Sequence, residues 1–248
     1  MAAPTLHPDF ELSIIPESKI TDIWEVMEIA YADDELWRPS IKNCDPKEVH
    51  AWLLEHIAPR WSFPDMEVYQ ITEKSTGKLV AWTALQFPWK DRPLSEELRA
   101  EVVDEHTPPL PKGVNLDAFT AFLGMFVCTY PYGYDMEHDY RKKSLPIPWL
   151  DAVCGYKLTL APRIDRKGTM VLPDYQKRGF GRVLTHHCNE ISDKTGGRTF
   201  APIRPNSRKL FSSMGYKKLG ESNCHAERFG EDAERGIDWP MLRNPGGL

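Results

Sequence analysis

Apolar positions along this chain recur at two periods, and the switches between them mark out its elements. Phe10, Leu12 and Ile14 alternate and predict a first strand that stops at Pro16. Ile20, Ile23, Trp24, Met27, Ala30 and Tyr31 return at helical spacing, predicting a helix over 18–33 with one buried face. Asp45-Pro46-Lys47-Glu48 is a helix start: aspartate caps, proline takes the first helical position, and the glutamate suits a capping box. Val49, Trp52, Leu53, His56 and Ile57 form the inner face of that helix, and Pro59 ends it. Alternation over 66–71, the turn Ser75-Thr76-Gly77-Lys78 and the apolar run 79–87 predict an antiparallel hairpin whose second strand is covered on both faces.

From Pro88 to about residue 160 the pattern changes. Prolines punctuate it, and it has no strand period of its own. A charged helix capped by Ser95 and an apolar helix over 115–129 are its predicted elements. Regular alternation returns with a strand over 169–172, a helix over 182–194, a short strand over 198–202, and a helix carrying Leu210, Phe211 and Met214. Gly215-Tyr216 then leads into a last strand, while Trp239-Pro240-Met241-Leu242 reads as a tucked segment. The strand–helix–strand unit around 169–202 predicts one parallel pair. The whole is expected to be one domain over 1–248, α/β (α+β) in class, with an insertion at about 88–160.

Composition narrows the function classes. A net charge of −5 argues against nonspecific nucleic-acid binding and against an electrostatic membrane surface. No apolar stretch reaches membrane-spanning length, and the N-terminal residues lack a basic region followed by an apolar run, so a cytoplasmic protein is expected. Five widely spaced cysteines form no Cys-x-x-Cys pair and read as reduced thiols. His186-His187-Cys188 has no partner at zinc spacing, and no metal is expected.

The densest chemistry lies in Val171-Leu172-Pro173-Asp174-Tyr175-Gln176-Lys177-Arg178-Gly179-Phe180-Gly181-Arg182. A strand runs into a basic loop, and two glycines stand where a helix begins. Free N–H groups of a first helical turn converge there, and the helix dipole adds a positive field. Lys177, Arg178 and Arg182 add charge. The expected ligand is a phosphate or pyrophosphate. Neither a dinucleotide-fold glycine pattern nor a Gly-Lys-Ser/Thr loop is present.

Gln176-x-x-Gly179-x-Gly181 after a strand, with Phe211-Ser212-Ser213-Met214-Gly215-Tyr216 some thirty residues on, resembles the GCN5-related N-acetyltransferase family. The resemblance covers roughly 163–220 closely and 8–87 loosely, and leaves out 88–160. It implies a mixed, mostly antiparallel sheet flanked by helices. It further implies acetyl-CoA, with its pyrophosphate on the amides of Lys177, Arg178, Gly179, Phe180 and Gly181 and on the helix start at Arg182. Gln176, Asn206, Ser207 and Phe211 would border the same ligand. The fourth strand would splay from the fifth to admit the pantetheine arm, and backbone N–H groups near Val171 or Leu172 would polarise the thioester.

Acetyl transfer also needs a base. Asp165, in Arg163-Ile164-Asp165-Arg166-Lys167, is either that base or a solvated turn residue; Glu137, His138 and Tyr134 are rivals in the insertion. Many family members reprotonate the thiolate with a tyrosine at the position held here by Phe211, which has no hydroxyl; Tyr216 is the nearest substitute. The expected acceptor is a small amine, chosen by the insertion, with direct transfer in a ternary complex and the protein a monomer or homodimer. A peptide or protein lysine or N-terminus is the alternative acceptor. A non-catalytic acyl-CoA-binding sensor or interaction protein is the alternative function.

Overall fold

The structure is a computed structural model that describes residues 3–89, 91–103, 109–128 and 163–247. Its elements run β1 (Phe10–Ile14), α1 (Asp22–Tyr31), α2 (Trp37–Ile41), α3 (Pro46–Trp52), β2 (Met66–Glu73), β3 (Leu79–Gln86), α4 (Glu96–Val103), α5 (Leu116–Cys128), β4 (Arg163–Val171), α6 (Phe180–Thr195), β5 (Arg198–Ile203), α7 (Arg208–Ser213), β6 (Lys217–Lys218), β7 (Ser222–Asn223) and β8 (Ile237–Arg243). The sheet order is β1-β2-β3-β4-β5-β8-β6, with β7 paired to β8. Among the described residues only β4 and β5 run parallel; every other pairing is antiparallel. This is the mixed, mostly antiparallel sheet expected.

Helices cover both faces. One face carries α1, α2, α3 and α5, whose tryptophans join Val68, Trp82, Ala84, Met170 and Leu172 in a core. The opposite face carries α6, where Val183, Leu184 and Cys188 pack on Tyr69, Ile71, Leu85 and Ile164. Local chemistry sets several boundaries. The Asp45 carboxylate accepts from Lys47 N at 2.8 Å and caps α3, and Asn115 Oδ1 accepts from Ala118 N at 3.2 Å at the start of α5.

Four elements depart from the sequence reading. The helix expected over 18–33 is a 3-10 turn at Glu17–Lys19 followed by α1. A separate α2 then starts where Asp34 Oδ1 takes the N–H groups of Leu36 and Trp37, each at 2.9 Å. The helix predicted to stop at Pro59 instead loosens into a π turn at Leu53–Ile57 and a 3-10 turn at Ala58–Ser62. β4 begins at Arg163 rather than near Thr169. Its first half is charged, and the charges are buried against each other, which alternation alone does not reveal.

The largest departure is β8. The supposed tucked segment Trp239–Leu242 is a strand between β5 and β6. Pro240 faces Pro202 across the β5–β8 ladder, while Pro240 O accepts from Leu219 N on the β6 side. The two prolines therefore face each other at a position where neither strand donates to the other, so the β5–β8 ladder loses no bond.

Candidate active site

β4 and β5 pair only at Arg163–Arg198, Ile164–Thr199 and Asp165–Phe200. Beyond Asp165 the strands diverge and leave a wedge in the sheet. On the other edge of β4, the register to β3 slips between Thr83 and Ala84, leaving Gly168 as the extra residue of a bulge. Gly168 sits at φ +63°, and a Cβ there would lie 2.9 Å from Trp82 Cη2. Conformation and space both require glycine.

The loop after β4 forms an open cradle. Lys177 has φ 60° and Gly179 φ 88°, and α6 begins at once with Arg182 N and Val183 N both bonded to Gly179 O. Among the described residues, the N–H groups of Lys177, Arg178, Gly179, Phe180 and Gly181 donate to no backbone carbonyl. A Cβ on Gly181 would meet only Leu210 Cδ2 at 3.5 Å, an ordinary contact, so packing within the protein does not demand glycine there. Close approach of a ligand would. Convergent unpaired N–H groups at a helix N-terminus suit a pyrophosphate. Phe180 can contribute only its backbone, because its ring is buried against Phe10 at 4.7 Å. Gln176 reaches back, its Nε2 donating to Val171 O at 3.2 Å.

Of the two proposed thioester donors, Leu172 is corrected. Its N–H is bonded to Val80 O at 2.9 Å, toward β3. Neighbouring residues direct their backbone groups to opposite edges, so Val171 presents its N–H to the wedge.

A cavity of about 490 Å³ joins the wedge to a chamber on the α1 face. Asn206, Ser207 and Phe211 line it at the wedge end, with Gln176 and residues 165–171 of β4. The chamber is walled by Trp24, Trp37, Trp52, Trp61 and Trp82, with Phe119 and Phe122 from α5. These rings brace one another edge to face: Trp61 meets Trp82 at 5.3 Å and Trp24 at 5.8 Å, and Trp52 meets Phe119 at 6.0 Å. The indole N–H groups of Trp24, Trp52 and Trp82 are buried without a partner among the described residues.

The sequence candidates for acid and base fare differently. Tyr134, Glu137 and His138 lie outside the described residues. Asp165 is no solvated turn residue: it is 2 % exposed, within β4. Arg163 Nε donates to its Oδ1 at 2.5 Å, and Lys167 Nζ lies 3.5 Å from its Oδ2. Arg163 in turn stacks 3.7 Å over Phe200. The carboxylate neutralises two cations and serves the strand pair. Tyr216 is corrected as an acid. It is buried behind Phe211, outside the cavity lining, and its hydroxyl donates to Asn189 Oδ1 at 3.1 Å. Burial, the main cause, raises its phenol above the ordinary range, so the proton is held more firmly still.

Asp238 is the titratable residue that sequence reading missed. It is the second residue of β8, is 0 % exposed, lines the cavity, and has no hydrogen-bond partner for either carboxylate oxygen among the described residues. Burial pushes its pKa up to about 6; Arg204 and Arg208 pull it down, and Asp34 pushes it further up. Arg204 is itself shared between Asp34 Oδ2 at 3.2 Å and Glu35 Oε2 at 2.9 Å. Tyr31, on the same cavity wall, has its phenol raised by burial and by Asp34 and Asp238. A carboxyl that titrates near neutrality in a cleft is a candidate base or ammonium partner. Its sequence signal was weak, since it stands alone in a stretch without periodicity.

No family model matches the chain, and no curated protein matches its sequence. Solved structures do match. The C-terminal condensation domain of Ebony, in complex with beta-alanyl-dopamine, superposes with a TM-score of 0.61 at 10% identity, over 95% of this chain and 98% of that one. Arylalkylamine N-acetyltransferase 2 from Aedes aegypti gives 0.58 at 12% identity, over 95% and 99%. The structure titled histone acetyltransferase HPA2 and related acetyltransferase, from Corynebacterium glutamicum, gives 0.55 at 10% identity, over 96% and 97%. At such identities the likeness speaks for architecture alone, and with the wedge, the bulge and the loop it leads to one conclusion: this chain has the GCN5-related N-acetyltransferase fold.

Proposed function

We propose that the protein is an acetyl-CoA-dependent N-acetyltransferase whose acceptor is a small primary amine with an aromatic or bulky apolar body. The observation that carries this reading is one continuous cavity with an open backbone cradle beyond its wedge end, a chamber of tryptophans at the other, and Asp238 in its wall. The amides of Lys177 to Gly181 hold the pyrophosphate of the donor, and the wedge between β4 and β5 takes its pantetheine arm. The bound donor supplies an activated acetyl thioester. Val171 N–H faces the wedge and stabilises negative charge that builds on the thioester oxygen.

The chamber selects the acceptor. Tryptophan faces attract both an aromatic ring and a cationic ammonium group, and Asp238 gives that ammonium a counter-charge. Above its pKa, Asp238 is ionised and still basic enough to take the proton as nitrogen attacks. Phe119 and Phe122 bring the insertion into the acceptor wall, in keeping with a role for 88–160 in substrate choice. The arylalkylamine N-acetyltransferase and the domain bound to beta-alanyl-dopamine, which share the fold, support an amine of this kind.

The test is incubation with acetyl-CoA and a panel of aromatic amines, aliphatic polyamines and lysine peptides, with product mass as the readout. Mono-acetylation of the aromatic amines is expected. A second reading, a non-catalytic acyl-CoA binder, is favoured by Phe211, which cannot donate a proton; tight acetyl-CoA binding with no turnover of any acceptor would establish it.

A further inference from the structure

Arg166 is the first residue of β4 without a partner on β5, one position past the Asp165–Phe200 pair. Its backbone thus stands where the two strands part, and the residue lines the cavity. It is 2 % exposed. Its Nε donates to Thr83 Oγ1 at 3.2 Å, and Thr83 Oγ1 donates to Gly168 O at 2.7 Å, tying the guanidinium to the bulge. Its Cζ lies 4.7 Å from the centroid of the Phe211 ring. Nη1 and Nη2 have no hydrogen-bond partner among the described residues.

The groups around this cation do not neutralise it. Cys188 of α6 and Tyr216 both feel its charge, the Tyr216 hydroxyl lying beside the guanidinium, and burial raises both, so thiol and phenol stay protonated at neutral pH. Thr83 of β3 and Phe211 of α7 are uncharged. Asp165 is on the opposite face, engaged with Arg163 and Lys167. A guanidinium keeps its proton, and a buried charge without a counter-ion is costly. Stacking on Phe211 offsets part of that cost. Two buried donors remain beside the wedge, and an arriving anion would satisfy them.

Resting on the acetyl-transfer reading, we propose that Arg166 receives the sulfur leaving group. As the amine nitrogen bonds to the thioester carbon, the C–S bond breaks and its electron pair goes to sulfur. The two guanidinium NH2 groups, Nη1 and Nη2, then hold the thiolate by charge-assisted hydrogen bonds. No proton leaves Arg166. The proton from nitrogen goes to Asp238, and the thiolate is protonated by solvent on release. Phe211 then needs no hydroxyl: its ring supports the cation that does the work.

The test is to bind coenzyme A to the protein and follow thiolate ultraviolet absorbance against pH, a readout independent of turnover. The bound thiol should titrate at least about one unit below its ordinary value of ~8.5. R166Q should bring it back up while keeping coenzyme A affinity, and should lower kcat ~100-fold. R166K should fall between. A bound thiol that titrates at its free value in the native protein overturns the proposal, as does a depressed value that R166Q leaves unchanged. R166Q losing only acyl donors with a terminal carboxylate, with the thiol unaffected, also overturns it and assigns Arg166 to the acyl chain. If coenzyme A does not bind at all, the acetyl-transfer reading itself fails.

Discussion

The two ends of the cavity are built on different principles. The proposed donor end is mostly backbone: a wedge where two strands part, one bulge, and unpaired amides ahead of α6, all within residues 163–183. The proposed acceptor end is side chains: five tryptophans, two phenylalanines and Asp238, brought together from α1, α2, α3, α5, β3, β8 and the turn before β2. Backbone geometry suits an invariant ligand, because it needs only glycines and strand register. Side chains gathered from across the chain can change one at a time, and suit a variable one. The two ends should therefore fail separately when mutated.

The largest expected effect is at the acceptor end. D238N should lower kcat/KM for amines by ~10²–10⁴, the usual contribution of a positioned base, with acetyl-CoA affinity unchanged. A comparable loss of acetyl-CoA binding would show that the two ends are one structural unit. G181E is the reciprocal test. It sets a carboxylate against the pyrophosphate at a position with protein room for a Cβ, and should weaken acetyl-CoA binding ~100-fold or more without melting the fold. Unchanged affinity would remove the loop from the donor site.

Asp238 also ties the acceptor end to pH. Its folded pKa of about 6 lies above the reference 3.8, so between those values the native state binds the extra proton. Stability should be greatest below the lower value and decline as pH rises through the upper one, while kcat/KM rises over the same window. D238N should flatten both profiles and stabilise the protein at neutral pH by up to about 3 kcal/mol, read by urea titration at a series of pH values. A flat wild-type profile would mean the carboxylate is solvated or paired. The smallest effect is W61L, which should raise KM about 5- to 10-fold for aromatic amines and little for aliphatic ones.

The same contrast explains what could be read from the sequence. Gln176, Gly179 and Gly181 lie within one loop, so their spacing suffices to predict an anion site there, and together with Gly215-Tyr216 at its distance it points to the fold. Trp24 and Trp52 were legible as inner faces of helices and Trp82 as part of a covered strand. Nothing in Trp24, Trp52 or Trp82 says that their faces leave a chamber between them, since that depends on how four helices sit on the sheet. Asp165 could be read as either a base or a solvated turn residue, yet two cations flank it within a buried strand. Trp239-Pro240-Met241-Leu242 read only as a tucked segment because the Pro202 that faces Pro240 in the β5–β8 ladder stands 38 positions away. Asp238 carries no motif; the burial that raises its pKa is a property of the assembled fold.

The most direct measurement is product mass after incubation of the full chain with acetyl-CoA and phenethylamine, alongside a lysine peptide and an aliphatic polyamine. The account predicts one acetyl group on the aromatic amine, released coenzyme A in equal amount, and little product from the other two. Acetylation of the peptide in preference to the aromatic amine, or release of coenzyme A unaffected by D238N, would contradict it.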